Sequence, residues 1–476
     1  MIAEPLIAHR AADARVALRA GELITAGRFV ADAIALARLL SPAQYVLNSC
    51  RDRYFFAVGF CAALIAGRTS LLPPSRTPEM LAQLARRYPD TLYLGDDAGC
   101  VSWRGALTSP AAIGASTWKP DAAASMWPPP TIARAHAAAI AFTSGSTGEP
   151  QPQIKTWGGV VDGARAETSA LQLDQTAVED VVLIGTVSPQ HMYGLESTVL
   201  MALHGPCAFA AEHPLHPDEV RAVLSQINGR RVLITAPVHL RALAESSHSM
   251  PPLDRVVSAT APLAPALAAR CESIWSTRVF EVYGCTETGM VATRRTVEGP
   301  VWTTMRGVKV EQRDGEFRAY GGHVQPGRLA DRLRLHGDTT FELDGRADDV
   351  VNIGGKRASL EGLNRLLLSI DGVIDGAIFL PRLSDGPARE QRLMAVVVAP
   401  DVTRRELLSA LRAQIDPAFL PRPLMLVGSL PRNAQGKLPR DELLAFAEQT
   451  VRARRSQPIV VGSVACEETE RFDRAR

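Results

Sequence analysis

Hydroxyl and glycine residues are concentrated directly after a short apolar run near residue 140. The residues of this loop are Thr143, Ser144, Gly145, Ser146, Thr147 and Gly148. Glycines let a backbone approach a polyphosphate closely, and main-chain N–H groups and hydroxyls donate to phosphate oxygens. The loop lacks the Gly-Lys-Thr of a GxxxxGK[ST] phosphate loop. The same composition is typical of flexible linkers, an alternative that the loop alone leaves open.

A second segment with chemical potential covers residues 280–289, FEVYGCTETG. An apolar strand here ends in a glycine turn that carries Thr286 and Glu287. Ligands of α/β sheets bind at the carboxyl ends of strands, and Mg²⁺ prefers one or two carboxylates together with phosphate oxygens. A glutamate after a turn is more often simply solvated, so this segment gains meaning beside the first.

The third segment, residues 430–440, reads LPRNAQGKLPR. A lysine beside a glycine in a polar loop is normally a surface charge. Lys437 gains a chemical meaning because two anion-binding segments precede it. When a carboxylate attacks a phosphate, a positioned cation stabilises the charge that develops.

Alternating helical and strand-like segments position these three loops. The spacing predicts helices over 54–66 and 78–87, and strands over 91–94, 138–142, 181–186, 231–235, 255–258 and 279–282. Strands that alternate with helices predict an α/β fold with largely parallel sheets. The large N-terminal domain is expected to consist of stacked α/β subdomains over residues 1–345.

The pattern of polar and apolar residues changes after Asp338. Residues 344–357, DGRADDVVNIGGKR, form a polar turn region, and helical leucine spacing, a strand and a further helix follow. We therefore expect a small mobile α+β domain over residues 346–455. Residues 456–476 mix charges without a helical face and are expected to be disordered.

Composition excludes several classes of protein. Hydrophobic residues make up 46% and charged residues 21% of the 476, with 52 Lys+Arg against 50 Asp+Glu. This balance gives no reason to expect nucleic acid as a partner. The seven cysteines have no metal-like spacing, and no signal peptide or membrane span is apparent, since the apolar stretch over 55–67 is too short. We expect a cytoplasmic protein.

The three segments, in this order, resemble the adenylate-forming superfamily: acyl- and aryl-CoA synthetases, non-ribosomal peptide adenylation domains and firefly luciferase. TSGSTGEP resembles the phosphate loop, YGCTE resembles the Tyr-Gly-x-Thr-Glu signature, and LPRNAQGKLPR resembles the C-terminal lysine loop. GDTTFELDGRADDVVNIGGKR is similar to the family's aspartate-to-hinge region. GEPQPQIKTW is similar, more weakly, to stand-alone ligases of bacterial aryl-polyene or pigment pathways.

The resemblance implies a role for each matching residue. Residues 143–148 would hold the ATP phosphates, Glu287 would ligate Mg²⁺ and Thr286 would contact the α-phosphate. Lys437 would bridge the carboxylate and α-phosphate oxygens. The nucleoside would be bound by Ala259, Thr260, Tyr283, Asp338 and Arg346, with Asp338 on the ribose hydroxyls. Asp348 would be the hinge, and the segment at 354–355 would reach the site after the small domain rotates.

Two positions bear on the substrate and on ATP handling. His191 matches the family's acyl-pocket histidine, and Met192 stands where amino-acid-activating relatives carry aspartate. This predicts an aromatic or fatty acid without an α-amino group. Gln151 replaces the lysine that usually follows the phosphate loop, with Lys155 as a candidate substitute.

The resemblance therefore implies an AMP-forming acid–thiol ligase. ATP and Mg²⁺ would activate a small carboxylic acid as acyl-AMP, and the acyl group would pass to CoA or to the phosphopantetheine of a separate acyl carrier protein. Adenylation followed by another acceptor remains open. So does a degenerate nucleotide-binding member without ligase activity, although such a protein has no need of Lys437.

Overall fold

Two large sheets, accompanied by smaller ones, organise the chain as far as residue 346, and further small sheets follow. The computed structural model describes residues 2–40, 42–73, 78–95, 127–144, 150–174, 181–246, 249–346, 350–353, 356–381, 392–433 and 436–456. The strands are β1 (Ala3–Pro5), β2 (Arg15–Arg19), β3 (Glu22–Thr25), β4 (Tyr45–Asn48), β5 (Thr69–Leu72), β6 (Thr91–Leu94), β7 (Thr131–Ala133), β8 (Ala137–Ser144), β9 (Pro150–Thr156), β10 (Val181–Gly185), β11 (Cys207–Ala210), β12 (Arg230–Thr235), β13 (Arg255–Ser258), β14 (Arg278–Cys285), β15 (Gly289–Arg295), β16 (Val301–Thr304), β17 (Val308–Arg313), β18 (Glu316–Gly321), β19 (Gly327–Leu329), β20 (Asp331–Leu335), β21 (Thr340–Arg346), β22 (Val350–Ile353), β23 (Lys356–Ser359), β24 (Asp375–Phe379), β25 (Met394–Val398) and β26 (Leu424–Leu426).

Helices alternate with these strands. The α-helices are α1 (Ala26–Leu39), α2 (Arg53–Ile65), α3 (Pro78–Arg87), α4 (Trp157–Ala170), α5 (Met192–Gly194), α6 (Met201–His204), α7 (Pro217–Ser225), α8 (Pro237–Glu245), α9 (Pro265–Trp275), α10 (Leu360–Leu368), α11 (Arg404–Gln414) and α12 (Arg440–Ser456). A π-helical segment, Leu195–Leu200, joins α5 to α6, and short 3₁₀ turns occupy Thr296–Glu298 and Pro417–Phe419.

The larger sheet has eleven strands in the order β20-β21-β16-β15-β14-β13-β12-β10-β11-β2-β3. Strands β14, β13, β12, β10, β11 and β2 pair in parallel, so their carboxyl ends lie at one edge. The other sheet has the order β6-β4-β5-β8-β9, with its first four strands parallel. The predicted α/β fold is confirmed.

An antiparallel wing departs from the expectation of largely parallel sheets. Strands β15, β16, β21 and β20 extend the eleven-stranded sheet antiparallel to one another. The segment between β14 and β21 contains no long helix to act as a crossover, and antiparallel neighbours can be joined by short turns. This wing brings β20 and β21 to the side of the sheet beyond β14.

Apolar side chains after residue 350 form clusters of their own. One joins α10 and α11 to β24 and β25 through residues such as Leu367, Ile378 and Leu411. A second packs α12 against the opposite face of the same strands through Leu443 and Leu444. The expected domain division at 345/346 stays a prediction, and the expected disordered segment lies largely outside the described residues.

None of the helices in the described ranges has the length and apolar character needed to cross a membrane.

The predicted helix over 54–66 is α2, whose start is capped by the Asp52 side chain accepting from the Phe55 N–H. Burial of this helix on nearly all sides explains its uniformly apolar sequence.

Candidate active site

The carboxyl edge of the parallel strands brings several predicted site residues together. Ser258 at the end of β13 pairs in register with Thr235 of β12 and Glu281 of β14. Ala259 and Thr260 therefore follow β13 at the level of Val282 and Tyr283 in β14. Thr260 is exposed and has a φ of +78°, which is strained for a β-branched residue.

The segment that carries His191 meets the same edge. His191 is half-buried and precedes α5, and Tyr193 in α5 donates from its hydroxyl to Thr235 O at 3.2 Å and Val257 O at 3.0 Å. The ring of Tyr193 therefore links the start of α5 to the ends of β12 and β13. Met192 is half-buried beside it and packs on the main apolar core.

A tight turn after β14 holds Thr286 and Glu287. The β14–β15 pairing shifts register between Tyr283 and Gly284, and the turn ends at Gly289 with a φ of +88°. The Glu287 side chain is half-buried. Within the described part of the chain there is no cluster of three or more His, Cys, Asp or Glu side chains suited to a metal. A single carboxylate suits Mg²⁺ that is held mainly by nucleotide phosphates, so the donor set fits the implied ion.

Asp331 lies closer to this site than the predicted ribose residue. The Tyr283 hydroxyl donates to Asp331 Oδ2 at 2.7 Å, and burial together with this carboxylate raises the pKa of Tyr283. Asp331 also stands opposite Arg346 in the β20–β21 register. Two of the predicted nucleoside residues thus border Asp331.

Asp338 lies at the other end of the same hairpin. It is exposed in the turn between β20 and β21 and forms an ion pair of 2.6 Å with Lys309, which lowers its pKa. The four residue steps from Asp331 to Leu335 span about 13 Å of strand, and the turn lies beyond them. The structure does not bring Asp338 to Tyr283. Asp331, seven residues before Asp338, is the aspartate that contacts Tyr283, and the sequence alone did not single it out.

The phosphate loop is described only at its flanks. Thr143 and Ser144 end β8, and their backbones pair with Gln151 and Pro150 of β9. Gly145, Ser146, Thr147 and Gly148 lie outside the described residues, as do Asp348, Gly354 and Gly355. Of Arg346 only the backbone, at the end of β21, is described.

Lys155 does not substitute for the exposed lysine that the resemblance expects at residue 151, where this chain has Gln151. Its side chain is only 4% exposed, and Nζ donates to Glu287 O at 3.0 Å and to Gln325 Oε1 at 3.4 Å. Burial lowers the pKa of Lys155, and the nearby carboxylate of Glu196 opposes that shift. Glu196 is itself buried in the π-helical segment, with its pKa raised by burial to about 7.

The lysine loop lies against helix α8. A Cβ placed on Gly436 would come within 2.5 Å of Val238 Cγ1, so the loop backbone contacts the start of α8 directly. Arg432 shapes the loop: its Nε and Nη2 donate to the Asp375 carboxylate at 2.7 and 2.8 Å, and Nη1 donates to Gly436 O at 2.8 Å.

Further contacts orient the residue after Gly436. The Lys437 N–H donates to Asn433 Oδ1 and the Asn433 N–H donates to Lys437 O, both at 2.9 Å. The Lys437 side chain is exposed. Because α8 follows β12 directly, this loop lies beside the carboxyl edge that carries Tyr193 and the β13 end.

Comparison with known proteins shows the family of this chain. The family model described as AMP-binding enzyme matches residues 42–327. This chain belongs to the AMP-binding enzymes. The predicted membership of the adenylate-forming superfamily is thereby confirmed.

Individual relatives cover much of the chain. The 4-coumarate–CoA ligase of Halorhodospira halophila is 28% identical over 327 residues, which cover 64% of this chain and 75% of that protein. The Bacillus subtilis o-succinylbenzoate CoA synthetase MenE, solved with its acyl-adenylate intermediate, superposes with a TM-score of 0.74 and 18% identity over 93% of this chain and 98% of its own. The amide bond synthetase McbA of Marinactinospora thermotolerans superposes with a TM-score of 0.69 and 18% identity, over 91% and 97%.

Proposed function

We propose that this enzyme uses ATP to convert an aromatic or fatty carboxylic acid into its acyl-adenylate and then transfers the acyl group to a thiol. The thiol would belong to CoA or to the phosphopantetheine of a separate acyl carrier protein. The contact of Gly436 with Val238 carries the proposal: it places the loop of Lys437 against α8, which follows β12, and the Thr286–Glu287 turn follows β14, two strands away in the same sheet.

Lys437 would stabilise the meeting of two anions. As the substrate carboxylate attacks the α-phosphorus, negative charge grows on the oxygens between them, and Lys437 would hold those oxygens from the side of the small domain. Thr286 would donate to the α-phosphate. Mg²⁺, when bound at Glu287, would neutralise the departing pyrophosphate. His191 would border the acyl pocket.

Asp331, rather than Asp338, is our candidate for the ribose hydroxyls. A carboxylate accepts from both hydroxyls at once, and Asp331 already accepts from Tyr283, the residue expected against adenine. We expect Asp331→Asn to weaken ATP binding by about tenfold and to reduce the preference for ATP over 2′-deoxyATP. Asp338→Asn is the matched control, and a preference lost in that variant instead would restore the original assignment.

Pyrophosphate exchange tests the first half-reaction. A panel of benzoic, cinnamic and fatty acids, with amino acids alongside, should give exchange only with acids that lack an α-amino group, as Met192 predicts. Lys437→Ala should lower exchange by roughly 10²–10³-fold, the usual cost of one oxyanion donor. Lys309→Ala, which removes an exposed lysine paired with Asp338, should leave it unchanged.

The outcomes separate the remaining possibilities. Equal exchange in wild type and Lys437→Ala would refute the role of Lys437, and no exchange with any acid would favour a degenerate nucleotide-binding protein. Mass spectrometry of products formed with CoA alone or carrier protein alone distinguishes the thiol acceptors. A product only with an amine would favour the amide-forming chemistry named for McbA.

A further inference from the structure

Lys155 contacts the turn of the predicted metal ligand from within the protein. The Lys155 Nζ donates to the main-chain carbonyl of Glu287. The main-chain N–H of Gln325 donates to the next carbonyl, Thr288 O, at 3.2 Å. The Gln325 amide also accepts from Lys155 and donates to Ile154 O at 2.6 Å. The carbonyls of Glu287 and Thr288 are thus both held by Lys155 and Gln325, which are hydrogen-bonded to each other and to β9.

Lys155 lies well away from residue 151, the position at which the resemblance expects a lysine. Gln151 stands opposite Thr143, whereas Lys155 pairs near Ala139, four residues and about 13 Å further along the strand. The lysine side chain also turns into the protein interior, where it is 4% exposed. Its acceptors are oxygens of the Glu287 turn and of Gln325.

Burying an ammonium group costs free energy, which its hydrogen bonds to Glu287 O and Gln325 Oε1 and nearby carboxylates offset. Burial lowers the pKa of Lys155, and two carboxylates oppose this shift: that of Glu196, in the buried π-helical segment that follows α5, and that of Glu287. This segment continues from the His191–Met192 region expected to border the acid. Lys155, on β9, is therefore close both to the turn of Glu287 and to the π-helical segment that carries Glu196.

We propose that Lys155 is a positioning residue that holds the Thr286–Glu287 turn in the orientation needed for metal-bound nucleotide. The proposal rests on the proposed function. Lys155 acts through the Glu287 peptide and does not touch the nucleotide. A lysine in the protein interior thus orders the metal-binding turn in a chain that has Gln151 where the resemblance expects a lysine.

Lys155→Met tests this role, because methionine fills similar space without charge or donors. We expect the variant to bind AMP without Mg²⁺ as wild type does, but to bind ATP in the presence of Mg²⁺ about tenfold more weakly. The Mg²⁺ concentration for half-maximal ATP binding should rise correspondingly. Hydrogen exchange of the amides at 286–289 in the ligand-free protein should become faster, while exchange in β13 stays unchanged.

The double variant Lys155→Met/Glu196→Gln removes both buried charges and guards against misfolding caused by an unpaired Glu196. It should melt near the wild-type temperature and show the same Mg²⁺ dependence as Lys155→Met. Lys309→Met is the exposed control. A purely structural role predicts a lower melting temperature with AMP and Mg²⁺–ATP binding weakened equally, and that result would overturn the proposal.

The hydrogen-exchange measurement distinguishes a failure of this proposal from a failure of the proposed function. If wild-type protein activates no acid, the ligase assignment fails, yet hydrogen exchange at 286–289 still reports on Lys155. If wild type is active and Lys155→Met keeps both its Mg²⁺ dependence and its turn protection, the positioning role alone is refuted.

Discussion

The contact between Gly436 and Val238 allows a quantitative test of the proposed role of Lys437. Gly436 has a φ of +73°, and an added Cβ would lie 2.5 Å from Val238 Cγ1. Unbonded carbons approach to about 3.5 Å, so Gly436→Ala would push the loop back by about 1 Å. A misplacement of that size can cost about 10²-fold in rate.

We therefore expect Gly436→Ala to lower the rate of pyrophosphate exchange by about 10²-fold with little change in ATP affinity. Most of that loss should be recovered in Gly436→Ala/Val238→Ala, because truncation of Val238 removes the Cγ1 that clashes. The strain of alanine at positive φ, about 1 kcal/mol, should remain and keep the double variant about fivefold below wild type.

Val238→Ala alone is the matched control and should exchange at nearly the wild-type rate, since Val238 is 37% exposed. Exchange by all four proteins forms a double-mutant cycle. Strictly additive losses would refute the reasoning, because they would mean that Gly436 and Val238 are not in contact when the adenylate forms. Full activity of Gly436→Ala would refute it as well.

Three further predictions follow from buried or loop-shaping charges. Burial raises the pKa of Glu167 to about 8 from an ordinary 4.5, so the folded protein keeps a proton that the unfolded chain loses. The free energy of unfolding should therefore fall as the pH rises from 4.5 to 8. Glu167→Gln should stabilise the protein by on the order of 3 kcal/mol more at pH 8 than at pH 5 in urea titrations, and parallel pH profiles would contradict this. Arg53 is fully buried and donates to four main-chain carbonyls, so Arg53→Met should lower the free energy of unfolding by about 3–5 kcal/mol, with an unchanged urea midpoint as the contrary result. Arg432→Lys keeps the charge but loses the two-pronged contact with Asp375, and should reduce exchange about tenfold at constant melting temperature, whereas wild-type exchange would show that Arg432 does not shape the lysine loop.

Local patterns predicted many individual elements. The helix at 78–87 and the strands at 91–94 and 255–258 have the predicted bounds, because short apolar runs between turn residues carry their own signal. The π-helical segment was not predicted, because its hydrogen-bonding pattern depends on what packs around its residues.

The sequence by itself determined the family and the types of group that the chemistry requires. Residue type and order suffice for that, since a glycine-rich hydroxyl loop, the YGCTE turn and a late lysine are local features. Only the tertiary structure decided which aspartate stands beside Tyr283, because that depends on the pairing of β20 with β21. It likewise decided that Lys155 turns inward to Glu287 and that Gly436 contacts Val238. Asp331 lies 48 residues from Tyr283, and Lys155 and Gly436 contact residues more than a hundred positions away, so these contacts depend on register and side-chain direction that packing across the fold sets.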